Sequence, residues 1–416
     1  MLLLKNISQL VTCSNVNNFP KKGKEQNEIG LRLDSNIIVE KGRIEFIGSS
    51  KSLAKIIKKR KIKITKEIDC KNKVVTPGFI DSHTHFVFAG NREDEYEMRI
   101  AGKTYQEIAA AGGGIISTVN SVRKCSFNNL YEIAVKRLKK FVETGTTTIE
   151  AKSGYGLDTA NEIKILKVIQ KLRKENKLGL DIIPTFLGAH AVPPGITKKE
   201  YIKSICKEMI PKIAKENLAE FIDVFCEVNY FDVEETSMIF EQGIKHGLLP
   251  KLHTDQFNSI GGVGVALKHK AVSVDHLEVL KQKDINRLSN KNTIATLLPG
   301  VSYFLDISYQ PARKLIANNV PVALATDFNP GSCPTQNIQT IMSLASIELR
   351  MTAEEILNAV TINAAYAVNR QTKIGSIEIG KQADLLIFDI PSYKFITYNF
   401  GVNNNSNVIK KGRIIK

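Results

Sequence analysis

Eight nearly continuous apolar runs alternate with long amphipathic stretches between residues 75 and 372, and this constrains the fold more than any other feature. The runs are VTPGFIDSHTHF (75–86), TTTIEAK (146–152), LDIIPTFLGAH (180–190), EFIDVFCE (220–227), LLPKLHTD (248–255), KAVSVDHLE (270–278), TIATLLPG (293–300) and VPVALATDF (320–328). Strands that read as unbroken apolar runs are buried on both faces, which is the mark of a parallel sheet. Between them lie helical patterns such as NLYEIAVKRLKKFVET (129–144), NEIKILKVIQKLRKE (161–175) and DVEETSMIFEQGIKHG (232–247). Parallel neighbours need a crossover, and a helix supplies it. The pattern predicts an α/β chain with a (β/α)8 TIM barrel.

The two ends read differently. Short strands and turns fill residues 1–74, with IIVEKGRIEFIG reading as a hairpin turned at Lys41-Gly42. Short strands return in 373–416, in KIGSIEIGKQADLLIFDI and NVIKKGRIIK. The expectation is three segments: 1–74 and 373–416 pair into one small β-sandwich, and 75–372 forms the barrel. With 416 residues, 43% of them hydrophobic, a large core is available. No run of about eighteen apolar residues is present, so no membrane partner is expected. MLLLKNISQLVTC is broken by Lys5 and reads as a strand, not a signal peptide. Six scattered cysteines without a CxxC pair argue against a disulfide framework or a zinc ribbon and fit a reducing cytoplasm. The net charge of +16 raises the question of nucleic acid. No nucleic-acid-binding motif accompanies the lysines, so a solvated basic surface is expected, and no nucleic-acid partner.

Chemistry gathers at the strand ends. In a barrel of this kind the reacting groups sit at the C-terminal ends of the strands. His83 and His85 end the first run, two residues apart and so on one face. His253 ends the fifth, His276 the sixth and Asp327 the eighth. Any one of these histidines alone reads as an ordinary satisfied polar residue. Imidazoles and a carboxylate converging from separate strand ends instead read as a catalytic zinc or iron site. His246 and His269 lie in helical stretches and read as ordinary polar residues.

The HxH after an apolar strand, the later strand-end histidines and the final Asp327 resemble the amidohydrolase superfamily. FAGNREDEYEMRIAGKTYQEIAAAGGGI (88–115), EAKSGYGL (150–157), FLGAHAVP (186–193), KLHTDQ (251–256) and TDFNPGSCP (326–334), in this order, resemble its imidazolonepropionase family. The resemblance spans nearly the whole chain. It implies one divalent metal, zinc or iron, on His83, His85, His253 and Asp327. It implies hydrolysis of 4-imidazolone-5-propanoate to N-formimino-L-glutamate, with Asp327 moving the proton and His276 polarising the carbonyl. Arg92 would bind the propanoate, with Tyr155, His190, Gln256, Asn329 and Gly331 as further substrate contacts. A homodimer is expected separately, from the mixed apolar pattern of the surface helices, which does not show which face would pair.

Several details qualify the resemblance. Lys152 ends the second run, whereas a metal-bridging lysine belongs to the fourth strand, where this chain has Phe225, Cys226 and Glu227. One metal is therefore expected. AAGGGI (110–115) lacks a GK[ST] ending, so it reads as a mobile loop over the pocket and not as a phosphate cradle. Cys226 and Cys333 are given packing roles. Some relatives in the superfamily carry Glu at the position of Gln256, and deaminases use it as a proton shuttle. Gln cannot exchange a proton, which weighs against an aminohydrolase. A catalytically dead scaffold of the same fold is the third reading, and the retained ligand set speaks against it.

Overall fold

The alternating pattern folds into a parallel barrel with helices outside it. The computed structural model describes residues 1–15, 17–103, 107 and 112–416. Five strands precede the barrel: β1 (Leu2–Val11), β2 (Leu31–Glu40), β3 (Arg43–Ser49), β4 (Lys66–Asp69) and β5 (Val74–Pro77). The barrel strands follow as β6 (Phe79–Asp81), β7 (Thr146–Lys152), β8 (Asp181–Ala189), β9 (Phe221–Cys226), β10 (Leu249–Thr254), β11 (Ser273–His276), β12 (Ile294–Leu297) and β13 (Val322–Leu324). Then come β14 (Leu385–Phe388), β15 (Asn405–Lys410) and β16 (Arg413–Ile414). The barrel order is β6 to β13 in sequence, with parallel neighbours throughout.

The first expected strand divides in two. Val74–Pro77 pairs with β1 and β14 in the other sheet, and only Phe79–Asp81 enters the barrel. Pro77 has no amide proton to extend a ladder, and Gly78 follows it. A Cβ on Gly78 would lie 2.3 Å from Thr147 Oγ1, so only glycine passes there. The sheet built from both ends thus reaches residue 77, beyond the boundary expected at 74. Its order is β16-β15-β14-β5-β1-β2-β3, with β4 on β1, and it has a core of its own that includes Leu4, Ile37, Val75, Leu385 and Ile409. The β2–β3 hairpin turns at Lys41 and Gly42, both at positive φ (47° and 79°), as a two-residue turn matched to strand twist requires.

The outer helices start where capping residues place them. Ser126 caps Phe127–Glu143 and Asp158 caps Thr159–Glu175, each through its side-chain oxygen. Asp232 and Glu235 form a capping box for Val233–Lys245. Helix Thr159–Glu175 buries Ile165, Leu166, Val168, Ile169 and Leu172, each worth about 1.5–3 kcal/mol of apolar transfer. No described helix is long and apolar enough to cross a membrane. The six cysteines are all free thiols.

Inside the barrel the composition changes with height. Ile80, Ile183, Phe221, Ile294 and Ala323 form an apolar floor, closed below by Ala364, Ala365, Val368 and Ile374. Above it lies a charged layer, and above that the imidazoles. The β6–β13 seam closes mainly beyond the strands. Asp327 N donates to the His83 carbonyl and His85 N to the Phe328 carbonyl, both at 3.0 Å. Below them Asp81 accepts from Thr326 N at 3.0 Å and from Thr326 Oγ1 at 2.6 Å.

Candidate metal centre

His83 stands at the centre of the site. Its Nε2 lies 3.3 Å from Asp327 Oδ1, and His85 Nε2 lies 3.3 Å from the same oxygen. Ligand atoms of His83, His85 and Asp327 fall within 4.8 Å of one another, and so do those of His83, His253 and His276. The expected strand-end residues therefore converge, and all five are buried. His276 reaches the centre at a cost: its φ is +84° and that of Leu277 is +73°. A bulky residue there stores strain, which structures retain mostly at functional sites.

The imidazoles are aimed from behind. His83 Nδ1 lies 2.6 Å from Asp275 Oδ2, His253 Nδ1 lies 3.0 Å from Asp223 Oδ2, and His276 Nδ1 lies 3.3 Å from Glu278 Oε1. A proton on Nδ1 donated to a carboxylate leaves the Nε2 lone pair facing the mouth. In the protein alone, His83 Nε2, His253 Nε2 and Asp327 Oδ1 are buried without a hydrogen-bond partner. Buried polar atoms are nearly always satisfied, so such a convergent set fits a cation. Burial and Lys152 work against charge on His83, yet Asp275 and Asp327 raise its pKa to about 9, while burial pushes His85 and His253 down and keeps them neutral. Burial lifts the Asp327 carboxyl, but His83 and His85 outweigh it and hold it well below the usual carboxylate range. The donor set of imidazoles and one carboxylate suits a divalent metal with an open position.

The layer beneath the imidazoles is absent from the sequence expectations. Lys152 pairs with Asp223 at 2.6 Å and Glu150 at 3.0 Å. Lys251 pairs with Glu150 at 2.9 Å and donates to the Ser82 carbonyl at 2.9 Å. Their pattern was legible: Glu150 and Lys152, and Lys251 and His253, are two apart on apolar strands and so share the inward face. Lys152 is thus an ion-pair partner beneath the metal centre.

A cavity of about 570 Å³ opens above the imidazoles and is lined by Arg92, Tyr155, His190, Gln256, Asn329 and Gly331, among others. His190 stacks on His85 with ring centroids 5.3 Å apart and donates Nδ1–H to the Gly154 carbonyl at 2.9 Å. Burial, and then His85, push its pKa down to about 3, so it is neutral and its Nε2 can accept. Burial raises the Tyr155 phenol well above its usual value, so it keeps its proton and can donate. Gln256 is 7% exposed, on a loop held by Glu227, whose Oε2 accepts from Phe257 N at 2.9 Å and Asn258 N at 3.0 Å.

Arg92 lies at the cavity wall, with Nε and Nη2 on Glu95 Oε2 at 2.8 and 2.7 Å. The same oxygen accepts from Gly114 N at 3.1 Å. Glu95 was not foreseen; its place three residues after Arg92 on helix Glu93–Ile100 was the available signal. Asn329 and Gly331 are engaged within their own loop. Asn329 Nδ2 donates to Asp327 Oδ2 at 3.0 Å, and Asn329 Oδ1 accepts from Gly331 N and Ser332 N, both at 2.8 Å. Both residues border the cavity, but their main visible work is to shape the Asp327 loop. Of AAGGGI (110–115), residues 110 and 111 lie outside the described residues, while Ile115 lines the cavity. His246 and His269 lie away from the centre, bonded to the Gln242 carbonyl and to Ser237.

The Amidohydrolase family profile matches residues 74–415. Imidazolonepropionase of Shouchella clausii is 45% identical over 417 residues, spanning 100% of this chain and 93% of that protein. Imidazolonepropionase of Clostridium tetani is 44% identical over 416 residues, spanning 100% of this chain and 98% of that protein. Among solved structures, a zinc-bound adenosine deaminase from Xanthomonas campestris superposes with a TM-score of 0.73 at 14% identity, over 99% of this chain and 92% of that one. The zinc complex of atrazine chlorohydrolase from Arthrobacter aurescens gives 0.70 at 14% identity, over 100% and 95%. These two likenesses concern the fold.

Proposed function

The chain belongs to the amidohydrolase family, in its imidazolonepropionase branch, and on that footing we propose that it hydrolyses 4-imidazolone-5-propanoate to N-formimino-L-glutamate in histidine degradation. One geometric observation carries the reading: His83, His85, His253, His276 and Asp327 converge at a cavity that also holds Arg92.

We assign His83, His85, His253 and Asp327 as ligands of one divalent metal, zinc first and iron second. Such a metal supplies an activated water near neutral pH and polarises the ring carbonyl. The rest falls to the chain. Asp327 takes the proton of the attacking water and delivers it to the ring nitrogen as the carbon–nitrogen bond breaks. His276, fixed by Glu278, steadies the charge that develops on the carbonyl oxygen. Arg92 binds the propanoate through parallel N–H bonds. His190 Nε2 accepts from a ring N–H, Tyr155 donates, and Gln256 hydrogen-bonds the ring without exchanging a proton. Asn329 and Gly331 complete the pocket by holding Asp327 and seating Arg92.

A cytoplasmic setting is supported by the six unpaired cysteines. A homodimer is supported by exposed Ile347, Tyr398 and Phe400, at 53%, 79% and 59% exposure. The test of the function is direct turnover. Freshly made imidazolone propanoate should lose its ring chromophore, the loss should stop on chelation, and it should return when metal is restored. A protein with a full complement of metal that leaves the chromophore intact would overturn the substrate.

A further inference from the structure

A TIM-barrel interior is usually filled by branched apolar side chains. Here Glu150, Lys152, Asp223, Lys251 and Asp275 occupy the middle layer, all fully enclosed. Burying ion pairs stabilises less than an apolar core of the same volume. Such a layer therefore calls for a reason other than stability.

Lys152 supplies one. Its ammonium lies 2.6 Å from Asp223 Oδ2, 3.0 Å from Glu150 Oε2 and 3.7 Å from Asp275 Oδ2. Asp223 is the carboxylate behind His253, and Asp275 is the one behind His83. Lys251 differs: it touches Glu150 and comes within 3.8 Å of Asp275, with no ion pair to Asp223. Among the described residues, Lys152 is the ammonium within ion-pair distance of both Asp223 and Asp275.

We propose that Lys152 is a positioning residue of the metal centre: seated on Glu150, it sets the separation of Asp223 and Asp275 and thereby aims His253 and His83 at one point. A lysine fits this task because its compact charge carries three donors that turn towards separate acceptors. Each carboxylate then has one oxygen fixed by the ammonium's field and an imidazole fixed on the carboxylate. An apolar side chain at 152 would fill the volume but leave the two carboxylates free to separate. The inference rests on the ligand assignment proposed above, since it concerns residues that act through His83 and His253.

Cobalt binding tests it, because cobalt reports both affinity and ligand geometry through its visible absorption. Wild-type protein stripped of metal should bind cobalt; failure to do so would overturn the ligand assignment and this inference with it. If wild type binds, Lys152→Met is expected to bind cobalt about 10–100-fold more weakly in chelator competition, with a displaced visible band. Melting of the metal-free proteins is followed in parallel. Lowered metal-free stability with unchanged cobalt affinity and band would assign Lys152 a purely structural role and overturn the proposal. Should Lys152→Met not fold, Glu150→Gln keeps the volume and removes the charge on which Lys152 sits. That variant is expected to show a smaller loss of affinity and a band shift in the same direction. Wild-type values in a folded Glu150→Gln would overturn the proposal too.

Discussion

His83 and Asp327 are joined twice across the barrel seam. The Asp327 amide donates to the His83 carbonyl at 3.0 Å, and their side chains meet at 3.3 Å. Backbone closure and side-chain convergence are therefore one event: where the eighth strand returns to the first, the two residues arrive already facing each other.

Asp327→Asn separates these two functions. The residue sits at φ +51°, a conformation that Asn tolerates, so the seam should hold. The amide cannot take a proton and ligates weakly. Turnover should fall by about 10²–10⁴-fold, with reduced metal content after dialysis. Unimpaired turnover with full metal would remove Asp327 from the centre.

Gly331 and Arg92 make a second pair. A Cβ at residue 331 would lie 1.9 Å from Arg92 Nη1, so the guanidinium rests on the bare glycine backbone. Gly331→Ala would push aside only the end of a flexible side chain, so little stability should be lost. The propanoate partner, however, would be displaced by an ångström or more. We expect kcat/KM to fall by about 100-fold, chiefly through KM. Arg92→Ala should cost about 2–5 kcal/mol in kcat/KM, the range for truncating a buried charged pair. Combining the two changes should add little to Arg92→Ala alone. Additive losses would show that Gly331 acts elsewhere than on Arg92.

The sequence made the barrel legible because both-face burial writes itself as apolar runs. The strand-end residues were legible because imidazoles and carboxylates are conspicuous there. What it hid has physical causes. The split at Pro77–Gly78 depends on Thr147, a residue far along the chain, so no local pattern reveals it. The inward face of Glu150, Lys152 and Lys251 follows from their spacing, but their partners do not: Asp223 and Asp275 on their own strands look like isolated polar residues, and only the packed barrel brings them to Lys152. The Asn329 and Gly331 loop shows a different difficulty. Residue types suited to touching a substrate are here bonded to each other, and hydrogen-bond partners cannot be read from spacing.

Gln256 offers a test by addition. It is 7% exposed, on the loop after β10 and three residues beyond His253. Gln256→Glu places an ionisable carboxyl of the same size beside the reacting ring. The kcat/KM profile against pH should gain an ionisation that wild type lacks. Gln256→Ala should lose about 10-fold or less, since a neutral hydrogen bond contributes roughly 0.5–1.5 kcal/mol. A pH profile identical to wild type in Gln256→Glu would place this side chain away from the ring.

The last expectation concerns the joint between the two sheets. Lys410, on β15 and 1% exposed at its side chain, reaches Asp181 at 2.8 Å and Asp384 at 2.7 Å. Asp181 opens barrel strand β8, so one ammonium ties the barrel to the sheet built from the chain's ends. Burial lifts Asp181, but Lys410 first, then Lys411 and Gln382, hold its carboxyl well below the usual range. The sign follows from the depressed value. Above the ordinary carboxylate pKa of about 3.9 the stabilisation is fully present, and it is lost as pH falls towards the folded value. Lys410→Met removes the ammonium shared by Asp181 and Asp384 but leaves Lys411 and Gln382 on Asp181, and should cost about 3 kcal/mol at pH 7, the lower end for a broken buried pair. Urea titrations of both proteins at pH 7 and pH 3 read the difference, which should be smaller at pH 3, where the Asp181 carboxyl deprived of Lys410 moves towards its protonated form. A difference that is the same at both pH values would mean the methylene stem of Lys410, and not its charge, holds the joint.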